Sequence, residues 1–158
     1  MAGRITKAEE QLRGDPRYDD KVLSRFINCI MLDGKKSVAQ RIVYNALDLI
    51  EERTKGEPEA IEVFRKAIDN VKPRVEVRSK RVGGANYQVP MQVNRRRQQS
   101  LAFRWIINAA RSEKGKPMHR RLAREIYDAF NSEGKAMSTR DQTHRMADAN
   151  KAFAHFAW

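Results

Sequence analysis

Three consecutive arginines, Arg95, Arg96 and Arg97, stand directly after Asn94. Asn is a favoured helix cap, so this placement crowds three cations at the positive end of a helix dipole, a modest penalty that a bound anion reverses. Either backbone amides and guanidinium forks then address the same phosphate, or the cluster is merely solvated. A second cationic group lies on two alternating stretches. Arg74 and Arg78 share one face with Glu76, while Lys80, Arg81, Asn86, Tyr87 and Gln88 surround a glycine pair. That mixture offers phosphate contacts, amide hydrogen bonds and a ring that either stacks on a base or packs within the hairpin. Lys35 and Lys36 precede a helix that carries Arg41. The Walker pattern G-x-x-x-x-G-K-[ST] is absent there, so these lysines are read as contacts to backbone phosphates rather than as a nucleotide-hydrolysis loop. Arg111, Lys114, Lys116, Arg120, Arg121 and Arg124 either extend such a surface or solvate a helix.

Catalytic chemistry finds no comparable constellation. His119, His144 and His155 have no ordered partner in the sequence, and the acids form no two-metal or general-acid pattern. One cysteine and three histidines fall short of zinc spacings. The expectation is therefore no catalytic residue, no metal and no cofactor. Cys29 falls among apolar residues at helical spacing and is expected to be an inert core thiol. Trp105 is likewise expected in the core, whereas Phe153, His155, Phe156 and Trp158 are expected to dock on the domain or on another macromolecule.

Hydrophobic periodicity supplies the elements that must hold these groups. Val22, Leu23, Phe26, Ile27, Ile30 and Met31 mark one helical face ended by Asp33-Gly34. Val38, Ile42, Val43, Ala46, Leu47 and Ile50 mark a second, from Ser37 to Gly56. Pro58 is placed as the first residue of a third helix, with Ile61, Phe64, Ile68 and Val71 on one stripe. The period then falls to two on either side of Gly83-Gly84, which predicts a hairpin whose base packs on helices and whose distal half projects as an arm. A fourth helix carries Leu101, Ala102, Trp105, Ile106 and Ala109, and Pro117 opens a fifth with Leu122, Ile126, Tyr127 and Phe130. Gly134 closes the fifth, and Thr139 with Gln142 is read as a capping box for a sixth. The fold expected is mainly α: a single six-helix domain over residues 1–158, with a protruding β-hairpin arm at 72–91 between helices three and four. A carboxyl-terminal helix and tail are expected at 139–158.

The chain's 158 residues carry 32 Lys plus Arg against 20 Asp plus Glu, a formal net charge of +12, with 41% hydrophobic residues available for a core. A polyanion is the partner such a folded cation favours, because each phosphate neutralised releases condensed counterions; an acidic membrane surface satisfies the same charge. The excess is localised. Residues 72–97 hold 8 basic side chains against Glu76 alone, and residues 104–124 hold 7 against Glu113 alone. Residues 42–71 hold 4 basic and 7 acidic side chains and are expected to lie away from the partner. Glu9, Glu10, Asp15, Asp19 and Asp20 make a signal or transit segment hard to place at the start, and a reducing, soluble compartment is the reading adopted.

Long ordered stretches of the chain resemble a known family, bacterial-type small-subunit ribosomal protein seven. The matching residues are Asp15-Pro16-x-Tyr18; Phe26-Ile27-Asn28-x-Ile30-Met31-x-Asp33-Gly34-Lys35-Lys36; the block VKPRVEVRSKRVGGANYQVPMQV from Val71 to Val93; Arg95, Arg97 and Leu101 to Trp105; and Thr143-His144-Arg145-Met146-Ala147-x-Ala149-Asn150 with Ala152-Phe153-Ala154-His155-Phe156 and Trp158. The resemblance implies a structural, noncatalytic protein of the bacterial cytoplasm or a bacterial-type organelle, with no membrane partner. It implies binding to the 3′ major domain of small-subunit rRNA, nucleation of head assembly, and contact with small-subunit ribosomal proteins nine and eleven. Carried onto this chain, it makes Lys35, Lys36, Arg78, Arg81, Asn86, Gln88, Arg95 and Arg97 rRNA candidates, with Gly83 and Gly84 as the turn. Arg41, Arg74, Lys80, Arg96, Arg111, Lys114, Lys116, Arg120 and Arg121 join that set from charge and spacing. The hairpin tip, Arg81 to Gly84 with Val82, and Arg145, Phe153, His155 and Trp158 are candidates for the exit-site tRNA and mRNA region. The chain departs from the family's usual residues at Gln92, where Glu is common, at Ser138-Thr139, where lysines are common, and at Ala157, where Arg is common; the last two departures lower the charge of its last segment. An architectural DNA-binding protein with a basic hairpin in the minor groove is the alternative, and its mark would be an apolar wedge at the tip.

Overall fold

The computed structural model describes residues 10–158; Glu9, part of the amino-terminal charge reading, lies outside them. Asp20 starts the first helix, α1 (Lys21–Ile30), by accepting the Leu23 N–H at 2.9 Å, one of the amides a helix start leaves open. Its carboxylate also receives the Arg65 guanidinium, through Nε at 2.7 Å and through a terminal nitrogen. Burial pushes the Asp20 carboxyl up, but the Leu23 amide and Arg65 outweigh it and hold the group below the usual carboxylate range. Asp15 explains the motif that precedes it. Buried, it accepts the N–H groups of Arg17, Tyr18 and Asp20 at 3.1, 2.9 and 2.9 Å, and the Tyr44 hydroxyl at 3.0 Å. Burial, reinforced by that carboxylate, pushes the Tyr44 phenol up to about 12.

The order continues with α2 (Lys36–Thr54), α3 (Ala60–Val71), β1 (Val75–Val82), β2 (Ala85–Gln92), α4 (Arg95–Ser112), α5 (Met118–Phe130), α6 (Lys135–Ala149) and a terminal 3-10 turn, Lys151–Phe156. Among the described residues this is the expected mainly helical fold with a hairpin between the third and fourth helices. Its centre is Phe26, edge-on to Phe64 at 5.1 Å and to Phe103 at 5.2 Å, with Leu23, Leu47, Ile68, Ile106, Leu122 and Ile126 buried around it. Each such side chain contributes roughly 1.5–3 kcal/mol by leaving water. Helices α1 to α5 supply this core, and α6 adds Ala136 and Met137.

Two boundaries differ from expectation. Helix α3 begins at Ala60 rather than Pro58 because the Pro58 carbonyl is taken by the Thr54 hydroxyl at 3.1 Å, leaving the Glu59 carbonyl to accept the first helical amides, from Glu62 and Val63. Pro90 lies within β2. It sits opposite Val77, and a two-stranded sheet leaves each strand an unpaired edge where a missing N–H is tolerated. Helix α6 begins at Lys135, so Thr139 caps nothing: it lies inside the helix, its hydroxyl donating to the Lys135 carbonyl at 3.0 Å. The cap comes from another element, since the buried Glu125 carboxylate of α5 accepts the Ala136 N–H at 2.8 Å. Burial pushes the Glu125 carboxyl up and the Ala136 amide opposes that.

Gly134, between α5 and α6, has φ 93° and ψ 177°, and a Cβ there would stand 3.0 Å from Glu125 Oε1 and 3.1 Å from Asp128 Cβ. Gly134→Ala is expected to cost about 1–3 kcal/mol through backbone strain and crowding. Thermal unfolding checks this, and an unchanged midpoint contradicts it.

Candidate nucleic-acid interface

Asn94 caps α4 as its type predicts, Oδ1 accepting the Arg97 N–H at 2.9 Å. Arg95 and Arg96 are exposed in that first turn, while Arg97 turns inward to the hairpin base. The Val93 N–H donates to the Arg74 carbonyl at 3.1 Å, so the base of the hairpin and the start of α4 form one joint. Glu76, itself buried, completes it: Oε1 accepts Arg78 Nε at 2.8 Å, and Oε2 accepts two donors of Arg97 at 3.3 and 3.2 Å.

The hairpin turns through Gly83 and Gly84, whose φ values of 57° and 87° fit a two-residue turn with both positions in the left-handed region. Its register pairs Lys80 with Tyr87 and Arg81 with Asn86, which divides the candidates between two faces. Arg81, Asn86 and Gln88 lie exposed on one. On the other, Lys80 donates to the Phe156 carbonyl at 2.8 Å and lies 4.5 Å from the Trp158 ring centroid, and Tyr87 rests 5.1 Å from both Phe153 and Phe156. Tyr87 is thus a packing residue here, and Phe153 docks on its own hairpin. His155 and Trp158 stay exposed, whereas Val82 is half-buried. The tip offers Gly83, Gly84 and Ala85 to solvent and no large apolar wedge. Arg145 is elsewhere, on α6, in a cleft with Glu133 and Asp141.

His144 joins α6 to the hairpin, its Nε2 accepting the Arg74 N–H at 3.1 Å. Burial, then the nearby Arg140, holds this imidazole below its ordinary value of about 6.5. Because the folded value is the lower one, the stabilisation is complete above about pH 6.5 and is lost as pH falls through the folded value. Substituting His144→Gln, whose amide oxygen still accepts, is expected to remove that component. The check is the difference between wild-type and variant unfolding midpoints from about pH 7.5 to 5; a constant difference contradicts the assignment.

Along α4, Arg97, Arg104 and Arg111 recur every seven residues, with exposed Ser100 and Asn108 between them. Seven residues return to nearly the same face, and a 1.5 Å rise per residue spreads the three over roughly 21 Å. Arg104 is absent from the sequence-derived set, although its spacing from Arg97 and Arg111 is the signal that finds it. Arg111 donates to the Ile30 carbonyl at 3.2 Å, at the negative end of α1. Lys35 lines a cleft with the same Ile30, so the turn bearing exposed Lys35 and Lys36 adjoins the carboxyl end of α4. Arg41 is exposed one turn further along α2. The two basic stretches therefore occupy opposite ends of α4, joined by its arginine stripe.

In the α4–α5 connection Lys114, Lys116 and Arg120 are exposed, but Arg121 is half-buried and donates to the Glu113 carbonyl, with a weaker contact to the Arg111 carbonyl at 3.4 Å. It staples the loop. Arg124 likewise pairs with Glu113 at 3.0 Å. Cys29 is not a core residue: it lies off the stripe of Leu23, Phe26, Ile27 and Ile30, exposed in a cleft of about 220 Å³ with Phe103, Arg104 and Ile107. The cleft walls nevertheless desolvate it and push the thiol up, against Arg25 and Arg104, so it is no thiolate. Trp105 packs against the core partly buried. On α2, Asp48 and Glu51 pair with Arg17 at 2.6 and 3.9 Å. Among the described residues no His, Cys, Asp and Glu group suits a metal ion, and no helix is long and apolar enough to cross a membrane.

Comparison with known proteins places this arrangement. The chain is 62% identical over 156 residues to the small ribosomal subunit protein uS7 of Rhodopirellula baltica, covering 99% of each chain. It is 53% identical over 158 residues to that of Rhodobacter capsulatus, covering 100% of each, and 53% identical over 156 residues to that of Thermotoga maritima, covering 98% of this chain and 99% of the other. The family model described as ribosomal protein S7p/S5e matches residues 2–151. With relatives aligned along nearly their whole length and a family match across both basic stretches and the hairpin, the chain belongs to the S7p/S5e family of ribosomal proteins, which are not enzymes.

Proposed function

We propose that this chain is a structural rRNA-binding protein of the bacterial small ribosomal subunit, held on the folded 3′ major domain and nucleating assembly of the head around it. The observation that carries this reading is the joint between the hairpin base and α4, from which an arginine stripe runs along one helix face to Lys35, Lys36, Lys114 and Lys116. A rigid row of guanidinium groups suits the phosphates of a folded RNA, whose shape then supplies specificity. Arg81, Asn86 and Gln88 extend the same contact set along the arm, and the tip with Arg145, His155 and Trp158 faces the exit-site tRNA and mRNA path. Small-subunit ribosomal proteins nine and eleven are the protein neighbours in this reading.

The test is a competition among a folded 3′ major-domain rRNA fragment, an unrelated folded RNA and a DNA duplex of equal length, at several salt concentrations. The fragment is expected to win by at least about tenfold at every salt concentration, since nonspecific phosphate binding weakens for all three together. Equal affinities would sink the reading.

A further inference from the structure

Glu76 is a conspicuous anomaly of the basic surface: the one carboxylate among the 8 cations of residues 72–97. An anion beside a phosphate site opposes binding on charge alone, yet this one is seated in the fold. Its side chain is 10% exposed, and each oxygen takes a different guanidinium: Oε1 the Arg78 Nε and terminal nitrogen at 2.8 and 2.7 Å, Oε2 the Arg97 donors at 3.3 and 3.2 Å. Arg78 comes from the arm and Arg97 from the first turn of α4. Their side chains remain 45% and 35% exposed, so Glu76 grips one edge of each planar fork while outward edges face solvent.

We infer that Glu76 is a positioning residue for RNA recognition, fixing the Arg78 and Arg97 forks at a set separation so that together they grip the phosphates of one folded backbone. Guanidinium recognition is directional, and a fork held in place loses less freedom on binding than one waving in solvent. The contact also locks the arm to α4, so the same carboxylate sets the arm's angle at its base. This inference rests on the rRNA-binding reading above and adds to it a residue that touches no RNA.

Charge and position predict opposite signs, which makes the test sharp. Glu76→Gln raises the net charge by one, so simple electrostatics gives tighter binding to any RNA. Positioning gives about tenfold weaker binding to the folded 3′ major-domain fragment, with affinity for an unrelated folded RNA unchanged or about twofold tighter. In an Arg78→Gln/Arg97→Gln background, Glu76→Gln should cost less than about threefold, because the groups it positions are gone. Circular dichroism establishes that each variant is folded; if Glu76→Gln is not, Glu76→Asp, which keeps the charge but shortens the reach, is expected to lose about threefold on the fragment alone. Equal or tighter fragment binding by the folded glutamine variant, no fragment-selective loss by the aspartate variant in its place, or a full tenfold loss in the double-arginine background overturns the inference. Failure of the wild-type chain to prefer the fragment would instead overturn the rRNA-binding reading itself.

Discussion

Replacing Arg95, Arg97 and Arg104 with glutamine is expected to weaken binding to the folded 3′ major-domain fragment by about two to three orders of magnitude. The salt dependence should become shallower by about two to three units of logarithmic slope. The size follows from the contact type. A solvent-exposed guanidinium–phosphate hydrogen bond contributes about 1–1.5 kcal/mol net, so three contribute about 3–4.5 kcal/mol, and each 1.4 kcal/mol is a factor of ten. The three arginines sit on the stretch of α4 adjoining the hairpin, and Arg95 and Arg104 are exposed. Charge count alone does not explain such a loss. Lys55→Gln with Lys66→Gln removes two cations from exposed positions on α2's end and α3, and should change affinity by less than about threefold because screening acts over roughly 10 Å at 0.1 M salt. Losses in proportion to the number of cations each set removes would mean that affinity follows net charge rather than this face.

The largest stability effect is expected at Phe26. It is 0% exposed and meets two other rings edge-on, one from α3 and one from α4. Phe26→Ala removes the ring that joins three helices and leaves a cavity their backbones only partly close, a cost of about 3–5 kcal/mol. That is a large share of the 5–15 kcal/mol typical of a folded domain, and it lowers the unfolding midpoint by roughly 6–20 °C at this chain length. Phe26→Leu, which keeps most of the apolar volume, should cost under half as much. Because α4 carries the arginine stripe, the alanine variant should weaken RNA binding only as far as its unfolded fraction rises. Calorimetry with a binding titration at a temperature well below the midpoint separates the two effects.

Most of this architecture is legible in the sequence because local signals and tertiary packing agree. The Leu23, Phe26, Ile27, Ile30 spacing gives α1 its buried stripe, Asn94 marks the start of α4, and period two around Gly83-Gly84 gives the hairpin. The failures have separate physical causes. Thr139 and Gln142 imitate a capping box, but the helix starts five residues earlier than that pattern requires, its Ala136 N–H capped by Glu125 on α5. Pro58 has the dihedral of a first helical residue, but Thr54 claims its carbonyl. Cys29 sits among apolar neighbours, yet the turn of the helix carries it past the buried stripe to the surface.

The candidate interface was partly legible. Arginine density located its two ends, but α4's length, which sets them apart, and the exposure of Arg104 between them follow from the helix rather than from composition. Composition also cannot distinguish a cation offered to solvent from one consumed locally. Arg121 belongs to its loop and Lys80 to the terminal segment, while Arg81 remains exposed.

Photochemical cross-linking of the chain to the folded 3′ major-domain fragment, with peptides identified by mass spectrometry, tests the central claim most directly. Cross-links are expected to concentrate on β1, β2, α4 and the turn at Lys35 and Lys36, with the outer face of α2 around Asp48, Glu51 and Glu52 free of them. Cross-links centred on that acidic face, or spread evenly over the surface, would contradict the account.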